Sequence, residues 1–205
     1  VLQFVFILAA GYFIGSFPTA YVVVRYKAGV DIRKSGSGNV GARNTFDVTG
    51  SKYLGVVVLL LDASKGAIAT LLPFAFPWGS PVLAIVGGMG AIAGHNYPVW
   101  LRFHGGRGLA TAAGVMLIFG WIYIVLWCLL WTGGYLISRS ILRGNILASL
   151  FVTPVLLLIP VGWIQSMAFV AITHREFLLA SCILCALILL RHGGEIRNFR
   201  ISKNT

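Results

Sequence analysis

Long apolar stretches alternate with short polar ones along the whole chain. Residues 1 to about 24 are apolar, and about twenty such residues cross a bilayer as a helix. Further apolar stretches cover 53–76, 81–93, 109–119, 121–138 and 145–160. A last one ends at Leu190; its start falls between Gln165 and Glu176, because Thr173-His174-Arg175-Glu176 interrupts it. The pattern predicts an all-α integral membrane protein with seven transmembrane helices, residues 1–205 forming one transmembrane domain. Gly11 and Gly15 make a G-x-x-x-G pair, either a face for close helix packing or a chance spacing in a glycine-rich chain. The Gly15-Ser16-Phe17-Pro18 step predicts a kink in the first span.

The polar stretches set the orientation. Of the 16 Lys and Arg, six lie in the loop 25–52, two between spans three and four, two in a basic loop 139–143 and four in the tail from Arg191. With seven spans all of these share one side, leaving Lys65 inside a span and Arg175 opposite. Positive residues stay cytoplasmic, so the N-terminus is expected outside and the C-terminus inside. A net charge of +11 would suggest nucleic acid in a soluble chain. Here 58% of residues are hydrophobic and only 10% charged, against roughly a quarter charged in soluble domains. The basic balance therefore reflects topology and anionic lipid rather than nucleic acid. Cys128, Cys182 and Cys185 sit in apolar runs and read as packing residues rather than a disulfide or zinc site.

Two glycine clusters carry the candidate chemistry. The first is Lys34-Ser35-Gly36-Ser37-Gly38-Asn39-Val40-Gly41-Ala42-Arg43-Asn44. Glycines permit tight turns that aim successive N–H groups at one point, and Ser, Asn and flanking cations add donors and charge. The bland alternative is an ordinary turn-rich loop. No Lys-Ser ending follows, so it is not a P-loop. The second cluster runs Gly94-His95-Asn96-Tyr97-Pro98 to His104-Gly105-Gly106-Arg107-Gly108. His95, Asn96, His104 and Arg107 are expected to converge there. The helix beginning after Arg107 adds a positive dipole end, and arginine grips phosphate bidentately. Otherwise this cluster is a helix end and a hairpin. The expectation is that both clusters face each other at the cytoplasmic surface and hold phosphorylated substrates.

Asp62 and Lys65 lie on one helical face at i,i+3 spacing inside the second span. Such charges are costly, so they either line a functional cavity or lock helices as an ion pair. The chain lacks a His-x4-Asp pattern, a Gly-x-Ser-x-Gly elbow and a histidine–carboxylate cluster for metal. No cofactor is implied. Catalysis is expected to rest on positioning and charge.

These motifs, in this order, resemble the membrane glycerol-3-phosphate acyltransferases that use acyl phosphate (PlsY). The resemblance rests on Gly15-Ser16-Phe17-Pro18, on Val30 through Asn44 and on Leu60-Leu61-Asp62-Ala63-Ser64-Lys65-Gly66. Gly94 through Trp100, Phe103 through Ala112 and the Arg191-His192 ending extend it over nearly the whole chain. It implies transfer of an acyl group from acyl phosphate to the 1-hydroxyl of sn-glycerol 3-phosphate, in the bacterial cytoplasmic membrane. Lysophosphatidic acid and phosphate are the products, in the first step of phospholipid synthesis. It also implies catalytic roles for Ser37, Asn39, His95, Arg107 and His192. Substrate phosphate would be held by Gly36, Gly38, Gly41, Arg43, Asn44, Lys65, Gly105, Gly106 and Gly108, with Asp62 and Ser149 supporting. The family usually has Thr at the position of Arg43, often Arg at that of Asp47, Lys at those of His104 and Arg107, and Asn at that of Glu195. These changes motivate a second reading, a diverged non-catalytic subunit or lipid-binding component of a membrane complex. A small organic-phosphate transporter is a third; such sites usually lie near the bilayer midplane in repeated halves, and no repeat is seen here.

Overall fold

The computed structural model describes the backbone of residues 1–201 and the side chains of residues 1–193. Glu195, Arg197, Arg200 and Lys203 therefore lie outside the described side chains. Among the described residues all regular structure is helical. The chain forms two compact units, Val1–Val115 and Met116–Thr205.

In the first unit α1 spans Leu2–Ser16 and α2 spans Thr19–Ala28. The expected kink is a full break. Proline removes an N–H and pushes the residue before it out of the helical region, and Phe17 is extended at φ −57°, ψ 122°. Helix α2 stops at Gly29, which is left-handed at φ 69°. A 3₁₀ turn follows at Ile32–Lys34, then α3 at Ala42–Thr49. The stretch read as a plain polar loop over 25–52 thus contains the end of α2 and a helix of its own. Ser51 caps α4 (Lys52–Leu71), and Ser80 with Pro81 opens α5 (Pro81–Asn96). After a second 3₁₀ turn at Leu72–Ala75, a third at Val99–Leu101 precedes α6 (Leu109–Gly120).

Glycines bring these helices close. A Cβ on Gly11 or Gly15 would overlap the carbonyl oxygen of Gly87 or Ala91 on α5, and one on Gly94 would overlap that of Tyr12. The G-x-x-x-G pair is therefore a real packing face. Where α2, α3 and α4 meet, Ala20, Val24, Ile32, Val40, Val58 and Leu101 bury together. Full burial of a large aliphatic side chain contributes about 1.5–3 kcal/mol. Ile32, Val40 and Leu101 belong to the polar segments, so this small core anchors both glycine clusters.

The second unit holds α7 (Ile122–Ser138), α8 (Ile141–Leu156), α9 (Val161–Ser166) and α10 (His174–Ile201). Two expectations change here. Residues 139–143 are not a loop throughout, because Ser140 accepts from the Arg143 N–H and starts α8 at Ile141. The basic tail from Arg191 continues α10 as helix to Ile201. Cys185 is buried as expected, whereas Cys128 and Cys182 are exposed on their helices. Leu2–Ala28, Lys52–Ala75 and His174–Gly193 are each long and apolar enough to cross a membrane; Leu109–Gly120, Ile122–Ser138 and Ile141–Leu156 are shorter apolar helices.

Candidate phosphate-binding site

The first cluster is organised from within by Asn44. Its side chain is fully buried. Asn44 Oδ1 accepts from the Ser37 N–H at 2.9 Å, and Nδ2 reaches the carbonyls of Asn39 (2.9 Å), Ser35 (3.0 Å) and Ile32 (3.2 Å). Its side-chain amide is committed to the backbone of its own loop and fixes that loop's shape. Gly36 and Gly38 take φ of 59° and 72°, which glycine adopts without strain. A Cβ on Gly36 would also overlap Asn44 Oδ1. Ser37 is thereby left exposed at the tip, with Asn39 half-buried beside it. Gly41 opens α3, its carbonyl accepting from Thr45 N (3.0 Å) and Oγ1 (3.1 Å).

The flanking charges are partly committed. Asp31 holds Arg33 through Nε–Oδ1 at 3.0 Å and Nη2–Oδ2 at 2.7 Å, and accepts from the Arg33 N–H at 3.0 Å. The Arg33 bond lowers the Asp31 carboxyl to about 2 despite opposing desolvation, and raises Arg33 in turn. Arg43, expected to hold phosphate, forms an exposed ion pair with Asp47 at 2.9 Å. The two changes from the family pattern thus compensate each other locally, and surface pairs of this kind contribute at most about 1 kcal/mol.

The second cluster meets the first. The Gly106 N–H donates to the His95 carbonyl at 3.0 Å. A Cβ on Gly106 would overlap His95 Nε2 and come within 2.6 Å of the Val40 carbonyl oxygen. Gly106 therefore lies wedged between the His95 ring and the backbone of the first cluster. Gly105 is packed against the His95 carbonyl in the same way, and Gly108 is left-handed at φ 76° beside Asn96 Oδ1. The Gly108 carbonyl accepts from Ala112 N at 2.8 Å and starts α6 just beyond half-buried Arg107. Tyr12 OH donates to the Tyr97 carbonyl at 2.8 Å and Trp100 Nε1 to Ser16 Oγ at 3.0 Å, fastening the hairpin to α1.

Behind His95 lies the buried charge cluster. Asp62 Oδ1 accepts from Lys65 Nζ at 2.6 Å and Thr19 Oγ1 at 2.9 Å, with His95 Nδ1 at 3.7 Å. Lys65 Nζ also donates to the Phe17 carbonyl at 2.6 Å. That carbonyl, at the helix break, also accepts from the Thr19 N–H at 2.9 Å, so the lysine adds a second donor there and the carboxylate balances the lysine. The i,i+3 spacing was legible in sequence. Thr19 and the Phe17 carbonyl were not, since only folding brings them to α4.

The remaining expected residues lie in the second unit. His192 is buried; Nδ1 contacts the Ile188 carbonyl at 2.8 Å and Nε2 contacts Asn145 Nδ2 at 3.2 Å. Ser149 Oγ accepts from Trp127 Nε1 at 3.3 Å. Sequence reasoning missed Asn145 as a partner, and its polar character within an apolar stretch was the available signal. Among the described residues no group of three His, Cys, Asp or Glu is placed to hold a metal.

Comparison with known proteins covers the whole arrangement. Residues 5–201 match the family model described as Glycerol-3-phosphate acyltransferase. Glycerol-3-phosphate acyltransferase 2 of Moorella thermoacetica is 48% identical over 142 residues, covering 69% of this chain and 72% of the relative. Glycerol-3-phosphate acyltransferase of Myxococcus xanthus is 36% identical over 197 residues, covering 95% and 94%. Crystal structures of PlsY, an integral membrane glycerol 3-phosphate acyltransferase, superpose with a TM-score of 0.76. The glycerol 3-phosphate form is 30% identical and covers 97% of this chain and 92% of that one. The lysophosphatidic acid form is 29% identical with the same coverage.

Proposed function

The chain belongs to the glycerol-3-phosphate acyltransferase family, and from that premise we propose that it acylates sn-glycerol 3-phosphate with acyl phosphate as donor. The observation that carries the reading is the meeting of two glycine-rich segments at Gly106, His95 and Val40. Donor and acceptor both bear phosphate, and two such segments suit two anionic groups. The acceptor's 1-hydroxyl oxygen attacks the acyl carbon, the carbon–oxygen bond to phosphate breaks, and inorganic phosphate leaves with the hydroxyl proton. Acyl phosphate is a mixed anhydride with a good leaving group, so positioning and charge carry most of the rate. Ser37, Asn39, His95, Arg107 and His192 are assigned to the reacting groups. Gly36, Gly38, Gly41, Gly105, Gly106 and Gly108 are assigned to backbone contact with phosphate. Asn44, Asp62 and Lys65 shape and support these segments, Ser149 is assigned a supporting role, and Arg43 contributes charge at the rim.

The charge distribution supports seven spans with the N-terminus outside and the C-terminus cytoplasmic, in a bacterial inner membrane. The family match over 5–201 supports one transferase unit built from the whole chain. Purified protein given acyl phosphate and radiolabelled glycerol 3-phosphate is expected to form labelled lysophosphatidic acid. A folded, monodisperse preparation that makes none refutes the assignment. Co-purification with other subunits would then favour the diverged, non-catalytic reading, which the altered charges at Asp47, His104 and Glu195 motivate.

A further inference from the structure

One cationic feature lies outside the residues assigned to the reaction. An open cleft of about 550 Å³ is lined by Arg33, Lys34, Trp100, Arg102 and His104, with no carboxylate among them. Its size falls within the usual range for small-molecule sites.

The walls are built. Arg33 is held by the Asp31 fork, lies 5.2 Å from the Tyr21 ring and reaches toward the Leu101 carbonyl at 3.5 Å. It is therefore a rigid wall whose charge Asp31 largely balances. On the other side Arg102 and Phe103 are both left-handed, at φ 53° and 62°, a conformation that residues other than glycine avoid. The turn is closed by the Phe103 N–H on the Pro98 carbonyl at 2.9 Å and by His104 Nδ1 on the Arg102 carbonyl at 2.7 Å. This strained turn places Arg102 and His104 on one cleft with Lys34, and both Lys34 and Arg102 are exposed.

The same turn presents apolar surface outside any span. Trp100 is 62% exposed, Phe103 60%, Tyr97 43% and Val99 41%. Aromatic rings interleaved with cations are the pattern of the headgroup layer, where ring faces meet acyl boundary and cations meet phosphate. A soluble anion would engage the cations and leave the rings in water. A phospholipid uses both. Trp100 is fixed to the end of α1, an apolar helix long enough with α2 to cross a membrane.

We propose that this cleft seats the phosphate of an anionic membrane phospholipid, with Lys34 and Arg102 as its charged contacts, His104 as a further donor, and Trp100 and Phe103 in the headgroup layer. The test reads binding and is independent of acyl transfer. The purified full chain, delipidated in neutral detergent, is titrated with dioleoylphosphatidylglycerol or dioleoylphosphatidylcholine, and bound lipid is counted by native mass spectrometry. Phosphatidylglycerol is expected to bind the more tightly. Arg102→Gln should weaken it about fivefold and Lys34→Gln with Arg102→Gln roughly 30-fold, about one fivefold step per juxtamembrane cation. Arg102→Lys should restore binding, and Lys52→Gln, an exposed cation off the cleft, should leave it unchanged. Should Arg102→Gln fail to fold, Lys34→Gln alone, on the opposite wall, carries the same fivefold expectation. Equal binding of the two lipids overturns the proposal, as does an equal loss in Lys52→Gln. Displacement of the lipid by millimolar inorganic phosphate also overturns it, showing a soluble-anion site instead.

Discussion

Removing the Asp62 carboxylate is the sharpest perturbation available in the first unit. The side chains of Asp62 and Lys65 are 2% and 8% exposed, so neither charge is solvated. In Asp62→Ala the Lys65 ammonium keeps only the Phe17 carbonyl, and Thr19 Oγ1 loses its closer acceptor, leaving the Phe17 carbonyl at 3.5 Å. Breaking a buried pair by deleting one partner costs about 3–5 kcal/mol. At about 2–4 °C per kcal/mol for a chain of this size, the melting temperature should fall by about 6–20 °C. Lys65→Met should cost less, because Asp62 keeps Thr19 and has His95 at 3.7 Å. The double variant Asp62→Leu with Lys65→Met removes both charges and should cost clearly less than the sum of the single ones. The assay is thermal unfolding of purified protein in detergent, followed by intrinsic fluorescence. An Asp62→Ala protein melting within about 2 °C of the parent would refute the argument. So would strict additivity in the double variant, since it would mean that the pair is not coupled.

Three further outcomes follow from the geometry. Gly106→Ala forces the His95 ring and the Val40 carbonyl apart, and a displacement near 1 Å at a positioned site costs about 100-fold in rate; lysophosphatidic acid formation should fall by that order while far-UV circular dichroism stays unchanged. Asp31 has its folded pKa depressed to about 2 against an ordinary value of about 3.9, so its contribution is present above about pH 4 and is lost as pH falls toward 2. Because the pair is partly solvent-screened, Asp31→Asn should cost only about 1 kcal/mol at pH 7 and a small fraction of that near pH 2, read as a melting difference that narrows on acidification. Asn145→Leu removes the buried amide that His192 Nε2 contacts at 3.2 Å and should cost about 1–3 kcal/mol, read as a lowered melting temperature in detergent.

The local code carried a large part of this protein. Runs of hydrocarbon side chains must be helical where no water can satisfy the backbone, so the apolar stretches and the all-helical class were readable directly. The Pro18 break, the Ser51 and Ser80 caps and the Gly29 and Gly50 stops are local too, because each depends on the φ preference or hydrogen-bonding reach of one residue. Helix α3 and the helical continuation past Arg191 escaped the reading, because polar composition marks contact with water and says little about backbone conformation.

What the chain order could not decide is which polar groups are spent on the fold. Asn44 and Ser37 look equivalent in sequence; burial turns Asn44 inward onto three carbonyls and leaves Ser37 at the surface. The sequence pairs Lys65 with Asp62, and only the broken helix brings the Phe17 carbonyl to it as well. The wedge of Gly106 between His95 and Val40 joins positions more than sixty residues apart. Such pairings exist only after packing, because the free energy that holds them comes from burying groups that the unfolded chain leaves in water.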